Sequence, residues 1–143
     1  MSFNYENSFT IEGGNFEDAG KAAVEIKKTL KNMGITGDTL RKTAIAAYES
    51  EINIISYANH GIINVRVTPE CVFLDVKDEG PGIEDIEMAM REGYSTASYR
   101  IRELGFGAGM GIPNIKNCSD DFELTSEVNK GTHLKVLINI TDQ

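Results

Sequence analysis

Two acids and two glycines stand together where a strand-like pattern ends. In the stretch DVKDEGPGI, Asp78 and Glu79 follow an alternating run, and Gly80 and Gly82 flank a proline. Such a stretch could form one wall of a nucleotide site. It is also typical of a solvated surface turn, because glycine and proline interrupt secondary structure and acids are well hydrated. The choice depends on whether other segments supply the remaining walls.

A second polar pair lies on a long predicted helix. Glu49 and Asn53 are four residues apart, so their side chains share one face about one turn from each other. The pair could simply belong to the solvated side of the helix. That helix is apolar around most of its circumference, however, and a small polar notch on it is therefore a candidate for function.

A run of alternating glycines could bind an anion. The stretch GFGAGMGIP contains Gly105, Gly107, Gly109 and Gly111, directly before a predicted helix with Pro113 in its first turn. Alternating glycines let backbone N–H groups surround an anion, and a helix N-terminus adds partial positive charge. A flexible loop is the alternative. The run lacks the lysine of a P-loop and does not follow the buried strand that a dinucleotide-binding fingerprint requires.

Two arginines precede these glycines in a segment rich in serine and threonine. Arg100 and Arg102 lie in YSTASYRIREL, which has little apolar content. We interpret the segment as a mobile lid that could bring a cation onto a phosphate. The same arginines could instead only solvate a loop.

Composition narrows the class of protein. The 143 residues, 41% of them apolar and 25% charged, predict one globular domain that spans 1–143. The net charge of −8 argues against a nucleic-acid surface, which needs clustered lysine and arginine. No stretch is long and apolar enough for a membrane span or a signal peptide. The two cysteines lack metal-ligand spacing, which favours free thiols and a cytoplasmic location.

Helical periodicity appears twice in the first half of the chain. The first helix is predicted over NFEDAGKAAVEIKKTLKNMG, with Asn15 as its cap and Gly34 at its end. The second covers GDTLRKTAIAAYESEINIISYANHG. Glu51 falls inside its apolar stripe, where it suggests a helix-end ion pair or a partner-facing surface, such as the interface of a homodimer. We predict that this stripe consists of Leu40, Ala44, Ala47, Ile54 and Ala58, widened by Tyr48, Ile52 and Ile55.

The remaining periodicity is that of strands. A short strand is predicted around Phe9, and two hairpins are predicted from alternating runs, one before the DEGPG stretch and one that turns at NKG near the end of the chain. Short helices separate the hairpins. Two long helices and a mostly antiparallel sheet predict an α+β, two-layer sandwich with helices on one face.

The order of these pieces resembles the GHKL ATPase superfamily. The four segments are the helix with Glu49 and Asn53, the DEGPG stretch, the glycine-rich segment, and Gly131 with Thr132. The resemblance covers nearly the whole chain. Within the superfamily, ESEINIISYANHG and GAGMGIPNIK are most similar to the small serine kinases and anti-sigma factors of partner-switching modules, in particular the RsbT-like branch. The resemblance implies a Bergerat ATP-binding fold.

The resemblance also implies roles for individual residues. Asp78 would accept the adenine amino group, Gly80 and Gly82 would let the backbone approach the base, and Thr132 would assist through its hydroxyl and an ordered water. Gly107, Gly109 and Gly111 would contact phosphates, with Arg100 and Arg102 as candidate lid cations. Asn53 would ligate Mg²⁺, and Glu49 would accept the proton of the attacking hydroxyl.

The function that the resemblance implies is phosphorylation of a protein partner. We expect a serine/threonine protein kinase that uses ATP and Mg²⁺ to phosphorylate a STAS-domain anti-sigma-factor antagonist, with a PP2C-type phosphatase or a sigma factor as a further partner. The alternative is an ATP-gated anti-sigma factor that sequesters a sigma factor with little kinase activity. A detached histidine-kinase catalytic domain fits less well, because nothing in the chain resembles an acceptor helix.

Overall fold

The computed structural model describes residues 4–91 and 111–140. Within these ranges the chain forms five strands and four α-helices. In chain order they are β1 (Tyr5–Glu12), α1 (Lys21–Asn32), α2 (Gly37–Tyr57), β2 (His60–Val67), β3 (Cys71–Glu79), α3 (Ile86–Ala89), α4 (Gly111–Asn117), β4 (Asp121–Glu127) and β5 (Gly131–Asn139).

The strands form one sheet in the order β1-β2-β3-β5-β4, and every neighbouring pair is antiparallel. Both predicted hairpins are present. The second turns at Asn129, which has a φ of 67°, a conformation that asparagine tolerates better than most residues. Because β5 pairs with β3 as well as β4, the end of the chain lies beside the strand that carries Asp78.

The alternating pattern of the strands gives the sheet two different faces. On β3 and β5 the inward apolar residues are nearly inaccessible, whereas Lys77 and Lys135 point away from the core. Helix α2 packs across four of the strands, and α1 and α4 pack against α2. The predicted α+β sandwich with helices on one face of an antiparallel sheet is thus confirmed.

Helix α1 begins later than predicted. Asn15 precedes a short 3₁₀-helix, Phe16–Asp18, and its side chain bonds to Asp18 instead of capping α1. Gly20, with a φ of 94°, breaks the helical path, so α1 starts at Lys21. Gly34, with a φ of 90°, follows the helix end as predicted. The periodicity continued through Gly20, and for this reason the break was not visible in the pattern.

The buried side of α2 matches the predicted stripe only in part, because four of its residues are buried as predicted: Ala47, Ile52, Ile54 and Ile55. Leu40 and Ala44 are only partly buried and Tyr48 is 40% exposed, whereas small polar residues lie in the core. Thr43 and Ser50 are buried because their hydroxyls donate to the carbonyls one turn earlier, at 2.8 and 2.7 Å. Hydroxyls satisfied in this way can face a core that apolar counting alone would not assign to them.

Glu51 is buried inside the molecule, and it does not form the predicted partner surface or helix-end ion pair. Its side chain is 2% exposed and it caps the start of α1 from across the helix pair. The carboxylate accepts backbone N–H groups from Gly20 at 3.0 Å, Ala22 at 3.3 Å and Ala23 at 3.0 Å. Since Gly20 has no side chain with which to cap the helix, the acid of α2 supplies the missing acceptors.

In residues 4–91 and 111–140, no helix combines the length and the hydrophobicity that a bilayer span requires.

Candidate functional site

Asp78 lies near the end of β3 and continues the inward phase of that strand. Its Oδ1 accepts a hydrogen bond of 3.0 Å from the backbone N–H of Thr132 on β5. Burial raises the pKa of Asp78, and the Thr132 N–H partly offsets that effect. The adjacent Glu79 points away and lies 2.9 Å from the ring of His60. Of the two neighbouring acids, the fold therefore turns Asp78 toward the helix-covered side.

The glycines after Asp78 are required by packing. A Cβ on Gly80 would lie 2.9 Å from the Cα of Ala58, just past the end of α2. Gly82 has a φ of +74°, and a Cβ there would collide with the carbonyl oxygen of Glu127. These contacts join the segment after β3 to α2 on one side and to the β4–β5 hairpin on the other. The predicted approach of these glycines to a base stays a prediction.

Thr132 takes part in a hydrogen-bond network that sequence reasoning missed. The hydroxyl of Ser126 accepts the N–H of Ile83 at 2.7 Å and donates to the carbonyl of Gly131 at 3.0 Å. The Thr132 hydroxyl lies 3.0 Å from the Ser126 hydroxyl, and either oxygen can be the donor in that contact. The available signal was the position of Ser126 on the inward phase of β4, directly opposite Thr132.

Glu49 and Asn53 are both partly buried, on the side of α2 that meets α4. A Cβ on Gly111 would lie 2.8 Å from Oδ1 of Asn53, so the first residue of α4 packs directly on that amide. One turn further along α4, the Asn114 side chain forms a hydrogen bond with Glu49. The predicted polar notch is therefore an interhelical contact, and Asn114 is a second residue that sequence reasoning missed.

The two effects on the Glu49 carboxyl have opposite signs. Burial raises its pKa, and the hydrogen bond from Asn114 lowers it by a smaller amount. A carboxylate with a raised pKa is a stronger base than a solvated one, and this is the direction that general-base catalysis near neutral pH requires.

The predicted residues fall into two groups. An open groove of ≈ 600 Å³ has Asp78 and Thr132 in its wall, together with residues of the helix-free face such as Lys77 and His133. Glu49 and Asn53 do not line this groove. One group is Asp78, Gly80, Gly82 and Thr132 at the end of β3, and the other is Glu49, Asn53 and Gly111 between α2 and α4.

The two groups are linked through α2. Gly80 contacts the end of that helix, about one helical turn beyond Asn53. The predicted phosphate and lid residues Arg100, Arg102, Gly107 and Gly109 lie outside the described residues, so their roles stay predictions. Among the residues that the structure describes, no three His, Cys, Asp or Glu side chains form a cluster suited to a metal ion.

The similarity of this sequence to known proteins identifies its family. A family profile described as a histidine kinase-like ATPase domain matches residues 15–138. The chain belongs to the histidine kinase-like ATPase family. This membership confirms the resemblance predicted from the four segments and makes ATP the expected ligand of the fold.

Relatives within this ATPase family bear two kinds of name. The serine/threonine-protein kinase RsbT of Bacillus subtilis is 31% identical over 116 residues, which are 78% of this chain and 80% of the relative. An anti-sigma F factor of Geobacillus stearothermophilus is 34% identical over 122 residues, 81% and 80% of the two chains. An anti-sigma F factor of Clostridium kluyveri is 31% identical over 136 residues, 91% and 92% of the two chains. The chain is thus similar to proteins that are named as a serine/threonine-protein kinase and as anti-sigma factors.

Proposed function

We propose that this protein is an ATP-dependent serine/threonine protein kinase that phosphorylates a STAS-domain anti-sigma-factor antagonist in a partner-switching stress-signalling module. The single domain of residues 1–143 would hold both the nucleotide site and the base. The observation that carries the proposal is the pair on α2, where a partly buried carboxylate with a raised pKa lies one turn from an amide oxygen.

Asp78 is the residue that would recognise adenine. One carboxylate oxygen accepts the Thr132 N–H, which fixes the orientation of the group. The second oxygen can then accept the exocyclic amino group of the base. The Thr132 hydroxyl lies 3.0 Å from that of Ser126, and its oxygen can still accept a hydrogen bond from an ordered water at the base edge.

Asn53 fits a magnesium ion that is held mainly by the nucleotide. Its Oδ1 is a hard oxygen donor that lies between α2 and the start of α4. The absence of a three-ligand cluster among residues 4–91 and 111–140 agrees with this, because Mg²⁺ is commonly held by one or two protein oxygens plus phosphates and waters. When bound, the ion would neutralise charge on the phosphates. The glycines at 107, 109 and 111 and the lid arginines at 100 and 102 remain our candidates for phosphate contacts.

Glu49 is the proposed general base. The serine or threonine hydroxyl of the partner attacks the γ-phosphorus, a new O–P bond forms, and the bond to the β–γ bridging oxygen breaks as ADP leaves. The proton of the hydroxyl passes to Glu49. Positioning and charge neutralisation supply most of the rate increase in phosphoryl transfer, and the base supplies a further factor.

The second candidate function is an ATP-gated anti-sigma factor with little kinase activity. It is favoured by the names of several relatives, which are anti-sigma F factors. In that reading the same nucleotide site controls the capture of a sigma factor. A PP2C-type phosphatase would be a further partner of the kinase. Phosphorylation of the STAS protein would release the kinase, which would then bind the phosphatase.

Transfer of radiolabelled phosphate separates the two functions. The full-length protein is incubated with γ-labelled ATP, Mg²⁺ and a STAS-domain protein encoded beside it, and in parallel with a purified sigma factor. Phosphoserine or phosphothreonine on the STAS protein is the expected result. Stable sigma-factor binding that requires ATP, without label on the STAS protein, would replace the kinase by the second function.

A further inference from the structure

Helix α4 touches the functional face of α2 at two points with matched spacing. Gly111 lies against the amide oxygen of Asn53, and Asn114, three residues later, bonds to Glu49, four residues earlier on α2. Residues three or four apart lie on one face of a helix. The two contacts therefore lie on one face of α4, which covers both the candidate base and the candidate cation ligand.

The position of α4 is fixed by the core. Ile115 is fully buried and Pro113 is buried beside it, while Asn117 on the same helix is exposed. Because Asn114 stands between Pro113 and Ile115, its backbone cannot shift without moving both. The core therefore fixes the backbone position from which the Asn114 side chain reaches Glu49.

We propose that Asn114 is a positioning residue for Glu49, whose side-chain amide holds one oxygen of the carboxylate and leaves the other oriented to take the proton of the substrate hydroxyl. This inference rests on the proposed role of Glu49 as the base. An ionised carboxylate only accepts hydrogen bonds, and an asparagine amide offers two N–H donors. The effect of the bond on Glu49 agrees with donation to the ionised form.

Direct titration of Glu49 tests the contact without requiring activity. In nucleotide-free protein labelled with ¹³C at glutamate, the pH midpoint of the Glu49 carboxyl is followed by NMR in wild type, Asn114→Ala, Asn114→Asp and Asn117→Ala. The midpoint should rise in Asn114→Ala, because a donor to the ionised form is lost. It should rise further in Asn114→Asp, because a like charge is added, and it should stay unchanged in the exposed Asn117→Ala control.

Single-turnover phosphate transfer tests the role in positioning. At saturating ATP and Mg²⁺, with the STAS-domain protein that the wild type phosphorylates, Asn114→Ala should transfer about 10-fold more slowly, as expected for a base that has lost its orientation. The acid limb of its pH profile should move up together with the NMR midpoint. Asn114→Ser keeps a short donor, so its transfer rate should lie between those of the wild type and Asn114→Ala. Nucleotide affinity, measured by calorimetry, should not change.

Two results would overturn the inference. If Asn114→Ala keeps the wild-type midpoint and rate while Glu49→Gln is inactive, Asn114 has no role and the proposed base stands. If Glu49→Gln transfers phosphate at the wild-type rate, the role of Glu49 fails and that of Asn114 fails with it. Should circular dichroism show that Asn114→Ala is unfolded, the Asp and Ser variants decide the question by the order of their midpoints.

Discussion

Helix α2 carries two glutamates, two residues apart, whose situations are opposite. Glu51 faces α1, is nearly inaccessible and accepts three backbone N–H groups. Glu49 faces α4, is partly buried, and has the amide of Asn114 as the partner that lowers its pKa. The same side chain on the same helix is a structural cap on one side and a candidate base on the other.

The difference lies in the hydrogen-bonding capacity that each carboxylate retains. An ionised carboxylate has about four acceptor sites. Three of those of Glu51 are taken by fixed backbone donors, so little remains for a substrate. Glu49 is desolvated enough for its pKa to rise, and within residues 4–91 and 111–140 the side chain of Asn114 occupies one of its acceptor sites. Partial burial with fewer fixed donors among the described residues, and not burial itself, distinguishes the candidate base from the structural cap.

The largest effect that this contrast predicts is the loss of phosphate transfer in Glu49→Gln. Glutamine keeps the size and an acceptor for Asn114 but cannot take a proton, so the single-turnover rate should fall by about 10²- to 10⁴-fold. ATP affinity measured by calorimetry should be retained. Glu25→Gln, an exposed site on α1, is the matched control. Equal rates for the two variants would remove Glu49 from the mechanism.

On the other side of the helix, Glu51→Ala should affect stability. The substitution leaves three N–H groups at the start of α1 without their acceptors, which we expect to lower the free energy of unfolding by about 3 kcal/mol. Because the chain has no tryptophan, urea unfolding followed by circular dichroism is the suitable measurement. Glu25→Ala controls for the loss of a glutamate elsewhere on the surface. If Glu51→Ala unfolds at the same urea midpoint as this control, Glu51 does not stabilise α1 as a cap.

The contrast between the two glutamates also shows what the sequence could and could not predict. Alternation predicted both hairpins, and the resemblance singled out Glu49 and Asn53, because these signals are local or lie in short motifs. The environment of Glu51 was mispredicted because its partners lie 28 to 31 residues away. Asn114 was missed for the same reason, since its partner Glu49 is remote in the chain. Contacts between helices do not appear in the periodicity of either helix.

Besides the two glutamates, Asp78 is a third acid whose substitution should have an effect, namely weaker binding of the nucleotide. Asp78→Asn keeps an oxygen that can accept the Thr132 N–H, so the fold should survive, but the amide can no longer accept two bonds in the charged form. Charge-assisted hydrogen bonds contribute about 1.5 to 3 kcal/mol, and we expect ATP to bind about 10-fold more weakly or worse. Calorimetry checks this, with exposed Asp121→Asn as the control. Unchanged affinity in Asp78→Asn would refute the adenine role.

The smallest effect concerns the stability of Glu49→Gln as a function of pH. Burial raises the pKa of Glu49 above its ordinary value of 4.5 in the folded state. The folded protein then binds the proton more tightly than the unfolded chain, so the contribution of Glu49 to stability is fully present below 4.5 and is lost as the pH rises through the folded pKa.

Glutamine carries no charge at any pH and avoids that loss. At pH 7, Glu49→Gln should therefore unfold with a slightly larger free energy than wild type, by less than about 1 kcal/mol for a partly exposed site. The difference should shrink as the pH falls through the folded pKa of Glu49, and it should be gone below 4.5. Paired urea titrations between pH 4 and 7.5 measure this difference in the free energy of unfolding. The contributions of the other carboxylates cancel because both proteins share them. A variant that is less stable than wild type at pH 7 would mean that the charge of Glu49 stabilises the fold, and the contrast with Glu51 would then disappear.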